Sequence, residues 1–581
     1  MPRILQLIAF AGASAGAFLP FGKGGDLASR ATQDRSRTYA NPIDLPYRFQ
    51  PDSSASWREA ADPEIRLFNG TYWLFLSHSL GYFYSSDLTS WTFVSGSGYA
   101  VDKFAPTVIN YNGTFYLHTS EQVPYVYSTT DLASGKWQTA SAQLPWGHMD
   151  PAFFLDDDST LYLYDGMSNN GPFYSAKLNK TTFVDIGDFV KTSSGRDPSN
   201  RGWEVPGDNN EKTSNAPWLE GTFMIKNNGR YYLEFSGPGT EFKGYANGLL
   251  TASSPMGPFT YETYSPFAHK PTGFIAGAGH GSTFAAKDGN YWHVGTMAIS
   301  VRHMFERRLG LWPTSFTSDG KLQTDTYLGD YPHYYDGDRG LTGWMVLSRK
   351  KKATSSSSQG SNPSMAADED VRTWWTAASG KSGEWFQLDL NGTKTIQALQ
   401  VNLADQDAST VSQITASNGG YKYKIEASTD GQSWTTIVPE SATGRDSVHN
   451  YHVLSSAVQG RYVKITNSFT PNNAKFSLYD LRVFGNDDIA LPGQVKSGTA
   501  TRNSKDGRQV SISWPAVSGA DFYIVRLGIR SDMMNQNFQI YDGATTTTIS
   551  TLNVGQSYVF TIDAVNEAGI TKGTFSGSIS A

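Results

Sequence analysis

Five segments of the chain share one pattern of polar and apolar positions, a polar turn and then a strand in which large and small side chains alternate. They are Asn69-Gly70-Thr71-Tyr72-Trp73-Leu74-Phe75, Asn112-Gly113-Thr114-Phe115-Tyr116-Leu117, Asp158-Ser159-Thr160-Leu161-Tyr162-Leu163, Asn228-Gly229-Arg230-Tyr231-Tyr232-Leu233 and Asp288-Gly289-Asn290-Tyr291-Trp292-His293. Asn, Asp and Gly supply the positive φ that a tight turn needs, and the aromatic residues that follow favour a pleated strand, so each segment predicts the bend and one arm of a β-hairpin. Successive copies begin 43, 46, 70 and 60 residues apart. That spacing is close to or above the ~40 to 50 residues of a four-stranded propeller blade, and five copies predict five blades.

The texture changes after Tyr334. Arg349-Lys350-Lys351-Lys352 runs into the serines Ser355 to Ser358, which reads as a boundary with a solvated basic connector. Asn362 to Gly485 again alternates strands and turns, through Trp385-Phe386-Gln387-Leu388-Asp389-Leu390 and Arg461-Tyr462-Val463-Lys464-Ile465. A last stretch from Leu491 to Ala581 carries Val510-Ser511-Ile512-Ser513-Trp514 and Tyr558-Val559-Phe560-Thr561-Ile562, spaced as in a small β-sandwich. Nothing reads as a long amphipathic helix. The expected fold class is all-β, with a five-bladed β-propeller over residues 40–345, a β-sandwich over 346–487 and a smaller sandwich over 488–581.

Composition narrows the partners. Charged residues make up 17% of the 581 and the net charge is −6, against ~25% charged in an ordinary globular chain. Such a surface has no field for gripping phosphates, so nucleic acid is not an expected partner. The 15 Trp, 31 Tyr and 32 Phe supply flat apolar faces, and the absence of cysteine removes disulfides, thiolate metal sites and thiol nucleophiles together. At the N-terminus, Arg3 precedes an apolar run from Ile4 to Leu19 with a small-x-small site at Ala15-Gly16-Ala17, which predicts a secretory signal over residues 1–19. No later run is long enough to span a bilayer. Four sequons at Asn69, Asn112, Asn179 and Asn391 fit a secreted glycoprotein. The expectation is an extracellular monomer without a membrane partner.

Candidate chemistry follows from the repeat. In a propeller the innermost strands converge on one axis, so equivalent places in different blades meet in one funnel. Eleven residues before Phe115, Leu161, Tyr231 and Tyr291 stand Phe104, Asp150, Glu220 and His280, and ten before Tyr72 stands Asp62. The acids lie among apolar, Pro and Gly neighbours, where a carboxylate is costly to bury unless it is hydrogen-bonded or used. Clustered carboxyls in distinct environments suit glycosidic cleavage, which needs one protonated acid at the leaving oxygen and one ionised base for water. A third carboxyl can raise the pKa of the acid by like-charge repulsion.

The segments Ala61-Asp62-Pro63, Phe104-Ala105-Pro106, Met149-Asp150-Pro151, Glu220-Gly221-Thr222, Gly279-His280-Gly281-Ser282 and Arg308 through Leu311-Trp312-Pro313 together resemble glycoside hydrolase family 43. The resemblance implies a five-bladed propeller that inverts the anomeric carbon, with Asp62 as general base, Glu220 as general acid and Asp150 tuning and orienting the acid. It also implies sugar contacts at Phe104, Trp218 and Arg308, and His280 at the axis as a candidate for a water-mediated structural calcium, with no cofactor needed for the reaction. The substrate it implies is carbohydrate: a terminal α-L-arabinofuranose first, with β-D-xylose or β-D-galactofuranose as alternatives. A non-catalytic carbohydrate-binding or adhesion protein is the rival reading. Asn362-Pro363, Thr373-Trp374, Trp385, Leu388-Asp389-Leu390 and Leu481-Arg482-Val483-Phe484 resemble the discoidin-like, coagulation factor type C family, whose members often bind carbohydrate. Ile512-Ser513-Trp514, Tyr523, Leu552, Tyr558 and Ala564 resemble fibronectin type III.

Overall fold

The structure, a computed structural model, describes residues 35–581 apart from 51–56, 146–148, 167, 170, 188–189, 193–195, 336–339 and 409–418. The expected signal segment lies outside the described residues. Regular structure among those described is strand and short 3-10 turns, and no helix there is long and apolar enough to cross a membrane.

Five four-stranded antiparallel sheets follow one another in sequence, each with its strands in chain order. Their first strands are Glu64–Phe68, Phe104–Tyr111, Ala152–Leu155, Glu220–Asn227 and Ala276–Ala285, and their second strands are Thr71–Phe75, Thr114–Ser120, Leu161–Asp165, Arg230–Gly237 and Tyr291–Ala298. The repeated sequence motif is the turn into the second strand in all five. Asn69-Gly70, Asn112-Gly113 and Asn228-Gly229 hold two successive positive φ angles, the mirror-image turn whose twist matches that of the flanking strands. The first strands touch in cyclic order, the fifth meeting the first. Side chains tie the ring: Glu64 accepts from Val108 N (2.8 Å), Phe153 N donates to Thr107 Oγ1 (2.9 Å), and Ile65 N donates to Ser282 Oγ (3.1 Å).

Both faces of these sheets are covered. Tyr72 and Leu74 face a core shared with Phe284 and Trp292 of the fifth sheet, while Trp73 and Phe75 face Val108, Phe115 and Leu117 of the second. A strand buried on two sides needs large residues at odd and even positions alike, which is why the motif stays aromatic throughout. Each such ring taken from water contributes ~2 to 3 kcal/mol.

Residues 345–486 build an eight-stranded sheet system around the long strands Trp385–Leu403 and His449–Phe469. The basic run differs from the solvated connector expected from its composition. Arg349 and Lys350 reach Asp542 Oδ1 (2.6 and 2.5 Å), Lys351 reaches Glu567 Oε1 (2.6 Å), and Lys352–Ser355 is a strand paired with Trp385–Leu403. The run therefore clasps the last segment to the middle one. Residues 499–579 form a three-stranded and a five-stranded sheet around Trp514, Tyr523, Leu552 and Tyr558.

Residues 35–581 form one compact unit. Buried ion pairs cross it: Arg58 to Asp405 and Asp446 (2.8 and 2.6 Å), and Arg482 to Glu369 and Asp330 (2.8 and 3.3 Å). Removing one partner from such a pair strands a charge away from water, so these contacts join the first part of the chain firmly to the second. All four sequon asparagines are exposed.

Candidate active site

A bulge recurs at the start of every one of the five sheets. Between Ala61 and Glu64, Phe104 and Thr107, Met149 and Ala152, Glu220 and Phe223, and Gly279 and Ser282, two residues face one on the second strand. The first residue of each pair sits at positive φ: Asp62 (53°), Ala105 (44°), Asp150 (52°), Gly221 (67°) and His280 (33°). Bulges re-aim side chains, and left-handed non-glycine residues are costly enough to concentrate where function needs them. Gly221 leaves no choice, since a Cβ there would lie 2.7 Å from the His280 ring.

The bulge corrects the equivalence drawn from sequence. Asp62, Asp150 and His280 occupy its first position, whereas Phe104 and Glu220 stand one residue before it. Counting back from the aromatic strands missed this because the hairpin turn is two residues long in the first, second and fourth sheets and five in the third and fifth.

The three acids nevertheless meet. His280 Nδ1 lies 3.2 Å from Asp62 Oδ1 and 3.6 Å from Asp150 Oδ2, and donor atoms of Asp150, Glu220 and His280 fall within 4.8 Å of one another. Each carboxyl has its own surroundings. Ser77 Oγ donates to Asp62 Oδ2 (2.5 Å), and Arg307 donates from Nη1 to Oδ1 (3.1 Å) and from Nη2 to Oδ2 (3.3 Å). Burial by itself would raise Asp62, but Arg307, His280 and the Ser77 hydroxyl outweigh it and hold the carboxyl below its usual range. Glu220 accepts from the Tyr245 hydroxyl at Oε1 and from Trp218 Nε1 at Oε2 (2.8 Å). Burial, with the charge of Asp62 behind it, pushes Glu220 up to about 7 against the pull of those donors and Arg307. Asp150 is raised well above the usual carboxylate range by burial and then by Glu220 and Asp62, while Ser120 Oγ donates to its Oδ1 (3.3 Å). The cluster thus holds an ionised carboxylate beside two carboxyls that favour their protons.

The guanidinium at the cluster belongs to Arg307. It also donates to Glu59 Oε1 (3.0 Å from Nε) and Thr240 Oγ1 (3.1 Å). Arg308, the arginine expected from sequence, points the other way and donates to His449 Nε2 (2.8 Å) and Arg58 O (2.6 Å), at the junction with the second part of the chain. Neighbours on a strand face opposite sides, and both sides here are buried, so burial patterning could not say which arginine faces the axis. Phe104 is half-buried, 3.9 Å from the His78 ring and 5.6 Å from Phe305, and Trp218 leaves 37% of its surface exposed above Glu220. Tyr245, Ser77 and Glu59 carried no sequence signal, because each acts through a partner distant in the chain.

Asp150, Glu220 and His280 are the cluster's candidate metal donors. They do not suit direct binding of calcium, which takes six to eight oxygens. Both Glu220 oxygens already accept protein hydrogen bonds, and the third donor is a nitrogen.

Residues 49–322 match the glycosyl hydrolases family 43 profile, and residues 350–480 match the F5/8 type C domain. The chain is a glycoside hydrolase with a family 43 domain. Over 270 residues it is 25% identical to a β-D-galactofuranosidase of Aspergillus niger, a match covering 40% of this chain and 72% of that protein. Over 361 residues it is 26% identical to an arabinoxylan arabinofuranohydrolase of Paenibacillus polymyxa, covering 56% of this chain and 51% of that one. Among solved structures, a thermostable family-43 glycoside hydrolase is 20% identical, with a TM-score of 0.40 over 52% of this chain and 98% of that one. The family 43 match spans the five sheets up to the last strand of the fifth, and so contains all three acids and Arg307. The rival reading as a non-catalytic binding protein falls with it.

Proposed function

We propose that the protein is an inverting exo-glycosidase whose five sheets are the blades of a propeller and whose site removes a terminal sugar from a cell-wall polysaccharide or oligosaccharide. The observation that carries the reading is the convergence of Asp62, Asp150 and Glu220 around His280, with Arg307 holding Asp62 below its usual range and burial raising Glu220 to about 7. Glu220 gives its proton to the leaving oxygen. Asp62 takes a proton from the water that attacks the anomeric carbon from the opposite face, and the C–O bond to the leaving group breaks as the new one forms. Asp150, protonated and beside Glu220, adds no charge of its own and keeps the acid oriented. Trp218 and Phe104 offer ring faces to the sugar. No step needs a cofactor, and a calcium held through water beside His280 would be structural.

α-L-Arabinofuranose is the proposed terminal sugar and β-D-galactofuranose the second reading; the activities for which the two relatives above are named support them in that role. The discoidin-like part would hold carbohydrate and the last segment, fibronectin type III-like in its core residues, would be a spacer. Exposed sequons support an extracellular setting.

A panel of aryl pentofuranosides, pentopyranosides and hexofuranosides tests the reading. Release from one furanoside class, with proton magnetic resonance showing the inverted anomer first, is the expected outcome, while a retained anomer or release from none overturns it. The kcat/KM profile against pH should be a bell. The acid limb reports Asp62 and lies below the ordinary carboxylate range, because activity needs it ionised. The alkaline limb reports Glu220, which must be protonated, so activity falls as pH rises through about 7.

A further inference from the structure

A cavity of about 430 Å³ opens where Asp208, Glu211 and Lys212, Glu241 and Phe242, and the segment Ser300 to Met304 meet Arg372 of the type C domain. None of the three acids lines it, but two of its lining segments run directly into residues that touch Arg307. Thr240, which accepts from Arg307, is followed directly by the lining residues Glu241 and Phe242. Phe305, whose ring lies 4.8 Å from the Arg307 guanidinium and edge-on to Phe104, directly follows the lining residue Met304. The cavity therefore lies one residue along the chain, on two sides, from side chains that hold Arg307 at the acid cluster.

Its chemistry is mixed in a particular way. Arg372 is anchored by Nη1 to Asp208 Oδ2 (2.6 Å) and by Nη2 to Glu241 O (3.1 Å), and its buried Nε has no hydrogen-bond partner among the described residues. Glu211 and Lys212 bring opposite charges, with the Lys212 ammonium 4.6 Å from the Phe242 ring centre. Met304 and Val301 are apolar yet 47% and 38% exposed. Cancelling charges give no field for an anion, whereas donors, acceptors and an apolar surface together match a neutral polyol with one flat face. The volume sits within the roughly 300 to 1,000 Å³ of small-ligand sites.

We propose that this cavity binds the sugar residues on the leaving side of the scissile bond, so that the type C domain, through Arg372, completes the substrate site of the family 43 domain. The inference rests on the glycosidase reading above. It makes the second domain part of the specificity of the reaction and gives the protein a preference for its terminal sugar when that sugar is attached to a carbohydrate chain.

Two exposed residues test it in the full-length chain. Met304→Trp fills the cavity and Lys212→Ala removes a donor at its edge. The readout is the ratio of kcat/KM on an oligosaccharide carrying the released sugar to kcat/KM on the aryl glycoside of that sugar. The ratio should fall about tenfold or more for Met304→Trp and severalfold for Lys212→Ala, chiefly through a higher oligosaccharide KM, as expected for lost uniform binding. A ratio within twofold of the parent in both variants overturns the inference and leaves the glycosidase reading standing. A parent enzyme that releases nothing from any aryl glycoside overturns the glycosidase reading itself.

Discussion

Glu220→Gln should lower kcat by ~10³ on substrates with a sugar leaving group, within the 10² to 10⁴ that a positioned general acid contributes. The amide keeps the shape of the carboxyl and cannot give up a proton. It also fits the pocket. Trp218 Nε1 can still donate to the amide oxygen, and the Tyr245 hydroxyl, which rotates freely about its C–O bond, can accept from the amide nitrogen instead of donating. The melting temperature should therefore stay close to that of the parent, which calorimetry checks. The diagnostic comparison is between leaving groups. A nitrophenol departs with little help from a proton, so the loss on a nitrophenyl glycoside should be at least tenfold smaller than on the oligosaccharide, and the alkaline limb near 7 should vanish on both. Equal losses on all leaving groups would take the acid role away from Glu220.

How far this site could be read from the chain depends on what each residue leans on. The aromatic strands were legible because their turns are local: Asn69-Gly70 and its four counterparts announce a hairpin without reference to anything distant. The acids were legible because an aspartate among Ala, Pro and Gly is costly in a buried strand, and Asp62, Asp150 and Glu220 all stand in such company. The displacement of Phe104 and Glu220 by one residue was not, because the hairpin turn is two residues long in their sheets and five in those of Asp150 and His280, and no fixed composition marks the bulge: Pro follows the bend at Asp62, Ala105 and Asp150 but not at Gly221 or His280. The exchange of Arg308 for Arg307 has a different cause. Periodicity separates the faces of a strand only when one face is wet, and Arg307–Phe316 is dry on both along most of its length. Long-range partners such as Tyr245 on Glu220, or Asp542 on the basic run, depend on contacts between elements that no local pattern encodes.

Asp62→Asn should cost about as much as the loss of the acid, ~10³ to 10⁴ in kcat, but evenly across leaving groups. Deprotonating the attacking water is needed however readily the aglycone departs. The fold should tolerate the change. Asn is among the few residues that accept the left-handed backbone found here, φ 53°, and the Ser77 hydroxyl can still donate to its side-chain oxygen. Arg307 loses one carboxylate and keeps Glu59, so the penalty should stay below the ~3 to 5 kcal/mol of a buried charge left wholly unpaired. A further consequence is electrostatic. The charge on Asp62 is one of the causes that lift Glu220. With that charge gone, Glu220 loses its proton at lower pH, and the residual activity of the variant should fall away at a pH below the limb of the parent. A full pH profile of Asp62→Asn on the aryl glycoside reads both effects. An uneven loss across leaving groups would remove Asp62 from the role of base, and an alkaline limb that does not move would break its coupling to the acid.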